Sequence, residues 1–164
     1  MKKWLLLLIT SVISFLIFTT FIILPIRTFV INRVKVSGCC MYPTVDVSGK
    51  VWINKTAYWF NSPKRGDIIS FKKQDMEQSY IKRVIGLPGE TIDIYNCTVY
   101  IDGTALDEPY IWLPTFDDYG PVEVPENHVF VMGDNRDNSE DSRNGNIGMI
   151  PIKDIRGRVL LASR

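Results

Sequence analysis

The sequence predicts a mainly β protein in which an N-terminal transmembrane helix is followed by a domain of antiparallel β-sheets with a loop-rich cap. Three observations carry that prediction. Trp4–Leu24 is an uncharged, predominantly apolar run. From Thr28 onward the chain breaks into short segments that alternate apolar and polar residues with period two. Between those segments stand turn-forming pairs such as Pro88-Gly89 and Asp102-Gly103.

At about 1.5 Å per residue, the Trp4–Leu24 run covers a bilayer core of roughly 30 Å as a helix. A cleaved signal peptide would present small residues near its end, whereas this run meets Leu24-Pro25-Ile26-Arg27, so an uncleaved anchor is expected. With 164 residues the chain has room for an anchor and one compact domain, divided here as 1–27 and 28–164. Lys2 and Lys3 precede the run while Arg27, Arg33 and Lys35 follow it, so positive charge alone leaves the orientation open.

Predicted strands follow in order. Val30, Asn32, Val34 and Val36 alternate with Phe29, Ile31, Arg33 and Lys35, marking a strand that leaves the membrane surface. Others are Lys50–Asn54, Asp67–Lys72, Tyr80–Leu87, Thr91–Tyr95, Thr98–Ile101, His128–Met132 and Gly157–Ala162. Pro109, Pro114, Pro121 and Pro125 interleave with Tyr110, Trp112, Phe116 and Tyr119, which puts Leu106–Pro125 in loops and the cap at about 91–125.

Composition excludes several functions. A net charge of +1 carries no nucleic-acid signature. Cys39, Cys40 and Cys97 are too few for a disulfide framework, and adjacent cysteines bridge poorly. The sole histidine, His128, rules out zinc sites built on several His and leaves little for a His-assisted nucleophile. The acidic run Gly133–Arg143 suggests a calcium loop, but Arg136 intrudes among the ligands and the closing Glu is missing. Neither a metal nor a cofactor is expected.

The chemistry centres on Val36-Ser37-Gly38-Cys39-Cys40-Met41-Tyr42-Pro43-Thr44-Val45. Gly38 permits a bend and Pro43 disfavours helix, so Cys40 stands on a corner, where nucleophiles are often carried. In a strand over Tyr80–Leu87, Tyr80, Lys82 and Val84 share one face and Ile81, Arg83 and Ile85 the other. A lysine withdrawn from water on such a face can accept a proton near neutrality. The strand pattern alone favours a surface lysine.

Met41-Tyr42-Pro43-Thr44-Val45 with Gly49 and Asn54-Lys55 resembles the nucleophile box of the type I signal peptidases (peptidase family S26). Arg65-Gly66-Asp67, Tyr80–Gly89 and the Gly-Asp-Asn-Arg and Ser-x-Asp-Ser-Arg signature within Gly133–Arg143 resemble that family's further boxes, in the same order. The resemblance spans nearly the whole chain and implies a bacterial, single-pass membrane endopeptidase with an extracytoplasmic catalytic domain. It would cleave signal peptides from exported preproteins, with preproteins and the lipid bilayer as its partners. By the same resemblance Lys82 is the general base of a nucleophile-lysine dyad and Ser139 orients its amine. Asp134 with Arg83, and Asp141 with Arg143, form structural ion pairs, and Asp67 is structural. Asn96-Cys97-Thr98 matches a glycosylation pattern, to which a bacterial form gives no role.

Two positions depart from the family: Cys40 stands where the catalytic Ser is expected, and Gly38 where some members carry an oxyanion-stabilising Ser. The oxyanion would then rest on backbone N–H groups, notably that of Cys40; losing one such donor costs roughly 100- to 1,000-fold in rate. A thiol supports acyl transfer but changes its geometry, so slower cleavage and sensitivity to oxidation are expected. The alternative is a catalytically silent homologue acting as an assembly or peptide-binding factor, against which the retained Lys82, Ser139 and Asp141 speak. A Cys-His hydrolase using His128 is disfavoured, because Pro125-Glu126-Asn127-His128 reads as a strand entrance.

Overall fold

The computed structural model describes residues 2–23, 30–47, 49–73, 78–111, 113–114 and 117–160. Lys2–Phe18 forms helix α1, continued by a π-helical turn over Thr19–Ile23. Thr19 and Thr20 donate their hydroxyls to carbonyls one turn back, at Phe15 and Leu16 (2.7–3.0 Å), a side-chain bonding pattern that loosens a regular helical ladder. Lys3–Ile23 is 21 residues long, apolar and unburied, which is enough to span about 30 Å of hydrocarbon. Leu24–Arg27 and the expected strand start at Thr28 lie outside the described residues.

The rest is antiparallel sheet. Strands β1 (Ile31–Lys35), β2 (Lys50–Asn54), β3 (Ile68–Phe71), β4 (Tyr80–Gly86), β9 (His128–Met132), β10 (Ile150–Pro151) and β11 (Ile155–Leu160) make one seven-stranded sheet in the order β1-β2-β11-β3-β4-β9-β10. Strands β5 (Thr91–Tyr95), β6 (Thr98–Ile101), β7 (Thr104–Ala105) and β8 (Tyr119–Glu123) make a second sheet ordered β7-β6-β5-β8. Ile85, Phe130 and Met132 of the large sheet pack against Ile92, Ile94, Val99, Ile101 and Val124 to join the two.

Residues 91–125 hold more sheet than their prolines predict. The loop expected over Leu106–Pro125 gives way to β8 at its end. Pro121 is tolerated there because β8 is an edge strand, and Gly120-Pro121 sits at a register shift opposite Asp93. The described part of 106–118 carries no regular element, as expected.

Both faces of β4 are buried. Its Ile69-facing side joins Tyr80 and Val84 to the cluster of Phe71, Val129 and Val131, with Lys82 paired to Ile69 between them. Its other side meets the turn carrying Cys40 at Ile81, and the second sheet at Ile85. The expected sharing of faces therefore holds, but neither face is open to solvent.

Candidate active site

Lys82 lies opposite Ile69 across the β3–β4 ladder and is 1% exposed. Its Nζ donates to Ser139 Oγ at 3.0 Å. That hydroxyl donates in turn to Asp141 Oδ2 at 2.8 Å, and the same carboxylate oxygen accepts the Gly133 N–H at 3.1 Å. Arg143 closes the network, with Nε 2.9 Å from Asp141 Oδ1 and one terminal nitrogen 2.9 Å from Oδ2. Burial alone would raise the Asp141 pKa. The hydrogen bonds and charge of Arg143, with the Gly133 N–H and the Ser139 hydroxyl, outweigh burial and hold the carboxyl below its ordinary value.

A second buried pair stands beside this chain. Arg83 reaches Asp134 through two nitrogens, at 2.8 and 2.6 Å, and donates to the Gly66 carbonyl at 2.9 Å. Thr44, four residues after Cys40, hydrogen-bonds Asp134 through its hydroxyl. Asp67, in the Arg65-Gly66-Asp67 turn, accepts the Tyr58 hydroxyl at 2.9 Å and the Lys64 N–H at 3.0 Å. Burial, reinforced by the Asp67 charge, pushes the Tyr58 phenol far above its ordinary pKa, so the hydroxyl stays protonated and donates.

Cys40 sits in the turn that Gly38 initiates at φ +104°, a left-handed geometry that glycine adopts without strain. The thiol is half-buried, and its sulfur lies 3.9 Å from the Ile81 carbonyl. The Cys40 carbonyl accepts the Asn135 N–H at 3.0 Å, tying this turn to the one that follows β9. The Cys40 sulfur thus lies against the Ile81 carbonyl of β4, while the amine of the next residue, Lys82, is held by Ser139.

Gly133 is the tightest point. A Cβ placed there would lie 2.3 Å from Ser139 Oγ and 2.5 Å from the Cys40 carbonyl oxygen. Any larger residue would push apart the supports of both Lys82 and Cys40. The sequence offered a hint, since Gly133 opens a polar run directly after an apolar strand, but its neighbours belong to distant parts of the chain.

Other contributors escaped sequence reasoning. Glu108 forms a buried bidentate pair with Arg136. Tyr110 donates to Glu108 at 2.7 Å and lays its ring 3.9 Å from the Arg83 guanidinium carbon. Asn138 donates to the Cys39 sulfur at 3.1 Å. His128 does not join the site: its Nδ1 lies 2.9 Å from the Glu126 carbonyl at the entrance of β9. Among the described residues no cluster of His, Cys, Asp and Glu is arranged to hold a metal.

An open groove of about 390 Å³ runs between residues 34–37 and 78–81, with Cys40 and Ser70 among its lining.

A sequence profile described as "Signal peptidase, peptidase S26" matches residues 9–163. The signal peptidase I S of Bacillus subtilis (strain 168) is 42% identical over 145 residues, which is 82% of this chain and 77% of that protein. A signal peptidase I of Leptolyngbya laminosa is 41% identical over 146 residues, or 84% and 71% of the two chains. The crystal structure of a signal peptidase I from Enterococcus faecalis V583 superposes with a TM-score of 0.54 at 33% identity, covering 61% of this chain and 98% of that one. A buried lysine hydrogen-bonded to a serine and three buried carboxylate–arginine pairs are assembled by a chain whose residues 9–163 match this profile and which is 42% and 41% identical to the Bacillus and Leptolyngbya proteins along about four fifths of its length, and it belongs to the signal peptidase family S26.

Proposed function

We propose that this protein is a membrane-bound endopeptidase that removes N-terminal signal peptides from exported preproteins, with Cys40 as nucleophile and Lys82 as general base. The observation that carries the reading is the Lys82 amine, withdrawn from water and aimed by Ser139 next to the turn that bears Cys40. The names of the relatives, all signal peptidases, support the substrate class.

In this reading the preprotein lies extended in the groove between residues 34–37 and 78–81, adding its backbone to theirs, while small pockets accept small side chains at the first and third positions before the cut. The Cys40 sulfur attacks the scissile carbonyl carbon and its proton passes to Lys82. The tetrahedral oxyanion is held by backbone N–H groups, that of Cys40 among them. Lys82 then delivers the proton to the leaving amine, giving a thioester that water, deprotonated by Lys82, hydrolyses to release the signal peptide.

In this reading the catalytic domain stands on the extracytoplasmic side, at the membrane surface. Ile31, Trp52, Trp59 and Phe60 support the proximity to a membrane surface: all are exposed, and Ile31, the first residue of β1, pairs with Asn54. Lys55 N–H bonds the Val30 carbonyl there, so the loop carrying Trp59 and Phe60 begins at that same end, where aromatic side chains suit the lipid headgroup zone.

The test is cleavage of a preprotein with a small-x-small site by the chain reconstituted in lipid, alongside its Cys40→Ser variant. The native chain should cleave, and Cys40→Ser should raise turnover on the order of tenfold by returning an oxygen to a site shaped for one. A silent homologue would leave the preprotein intact in both forms.

A further inference from the structure

We propose that Glu108, from the irregular segment between the strands of the second sheet, is a positioning residue for the dyad, acting through Arg136 on the 133–136 turn. This rests on the cleavage reading above.

Arg136 is buried, and its side chain makes three directed bonds. Two nitrogens grip the Glu108 carboxylate, one of them at 3.0 Å, and Nε donates to the Gly133 carbonyl at 3.0 Å. The side chains of Arg136 and Glu108 are 1% and 6% exposed, so water does not replace either partner. The Arg136 carbonyl accepts from Arg143 at 2.7 Å, so the pair also fixes the arginine that holds Asp141.

The turn held in this way supports both halves of the dyad. Through its N–H, Gly133 holds Asp141, which holds Ser139, which holds Lys82. Through its own N–H, Asn135 holds the Cys40 carbonyl. Ser139 Oγ and the Cys40 carbonyl both close over Gly133, leaving no room for a Cβ, so the turn is packed between the supports of both groups. Tyr110 joins the second buried pair to the same carboxylate: its hydroxyl bonds Glu108 while its ring covers Arg83. Removing the Glu108 charge leaves a buried guanidinium seeking another partner, and the nearest consequence is displacement of Gly133. Misplacement of reacting groups by about 1 Å costs on the order of 100-fold in rate.

The test compares the full chain in lipid with Glu108→Gln, Arg136→Gln, the double variant, and Glu108→Asp. Expected for Glu108→Gln is a fall in kcat of about tenfold or more with KM within about twofold, a shifted pH profile of kcat, and partial recovery in Glu108→Asp. The double variant should be no worse than Arg136→Gln alone, because both act on one turn. The rate at which iodoacetamide alkylates Cys40, mapped by mass spectrometry, should change at least about threefold in Glu108→Gln, since the Cys40 carbonyl hangs on the same turn.

An unchanged kcat, an additive double variant, or an unchanged Cys40 alkylation rate in a folded Glu108→Gln protein overturns the proposal. Should Glu108→Gln not fold, Tyr110→Phe decides: it removes one bond to Glu108 and keeps the ring on Arg83, and it should lower kcat about two- to threefold, no change overturning the proposal. If the native chain cleaves no preprotein, the cleavage reading fails by itself, and the alkylation rates still decide the role of Glu108.

Discussion

The lysine half and the cysteine half of the site are built in opposite ways. Lys82 stands in the middle of a central strand, wholly buried, with an amine that meets Ser139 and behind it a carboxylate held by Arg143 and the Gly133 N–H. Cys40 stands on a turn, half-buried, with its sulfur 3.9 Å from a backbone carbonyl, and is among the residues that line the groove. The proposed roles fit this difference: a base gains from exclusion of water and from rigid support, whereas a nucleophile must be reached by its substrate. A strand supplies the first and a turn the second, and the 133–136 segment fastens one to the other.

The comparison breaks most sharply at its buried end. Lys82→Ala should lower cleavage by at least about 1,000-fold, measured as kcat/KM on a preprotein with the protein's far-UV spectrum unchanged. Retained cleavage would separate the lysine from the chemistry and leave Cys40 acting alone. Next in size is the pair that braces the Cys40 turn through Thr44. Asp134→Ala strands Arg83 beneath Tyr110 and should cost about 3–5 kcal/mol in denaturant unfolding of the intact chain.

Smaller effects sharpen the contrast. The Asp141 carboxyl titrates below its ordinary value, so its ion pair contributes stability that is complete above the unfolded-state pKa and is lost as pH falls through the lower folded value. Stability should therefore decline below about pH 4, and Asp141→Asn should flatten that acid limb in thermal unfolding followed against pH. His128→Ala should change kcat/KM by less than about twofold, because its ring serves the entrance of β9 and not the dyad. A collapse of activity in a folded His128→Ala protein would move the base away from Lys82.

Much of the fold was legible because its signals are local. Lys50–Asn54, Thr91–Tyr95, Thr98–Ile101 and His128–Met132 form with the bounds that alternation and turn residues predict. β8 was not legible, since proline density argues for loops and only the partner strand β5 reveals an edge where Pro121 can sit. The two-residue strands β7 and β10 are too short to show a period. Within the site, Lys82, Arg83, Ser139, Asp141 and Arg143 could be named from motifs, but Glu108 and Tyr110 could not. They lie in a proline-rich stretch with no recognisable box, and their importance arises from meeting Arg136 and Arg83 across 28 and 27 residues of chain.

By itself the sequence determined the apolar N-terminal helix, the alternating strands, the corner at Cys40 and the order of the polar boxes, because each depends on residues within a few positions of one another. Only the tertiary structure decided that both faces of β4 are closed to water, that Ser139 meets an amine 57 residues away, and that a carboxylate from the second sheet's side holds the turn between them. Burial and hydrogen-bond geometry are properties of packed neighbours, and packing is settled only when the two sheets and the turns between them close on one another.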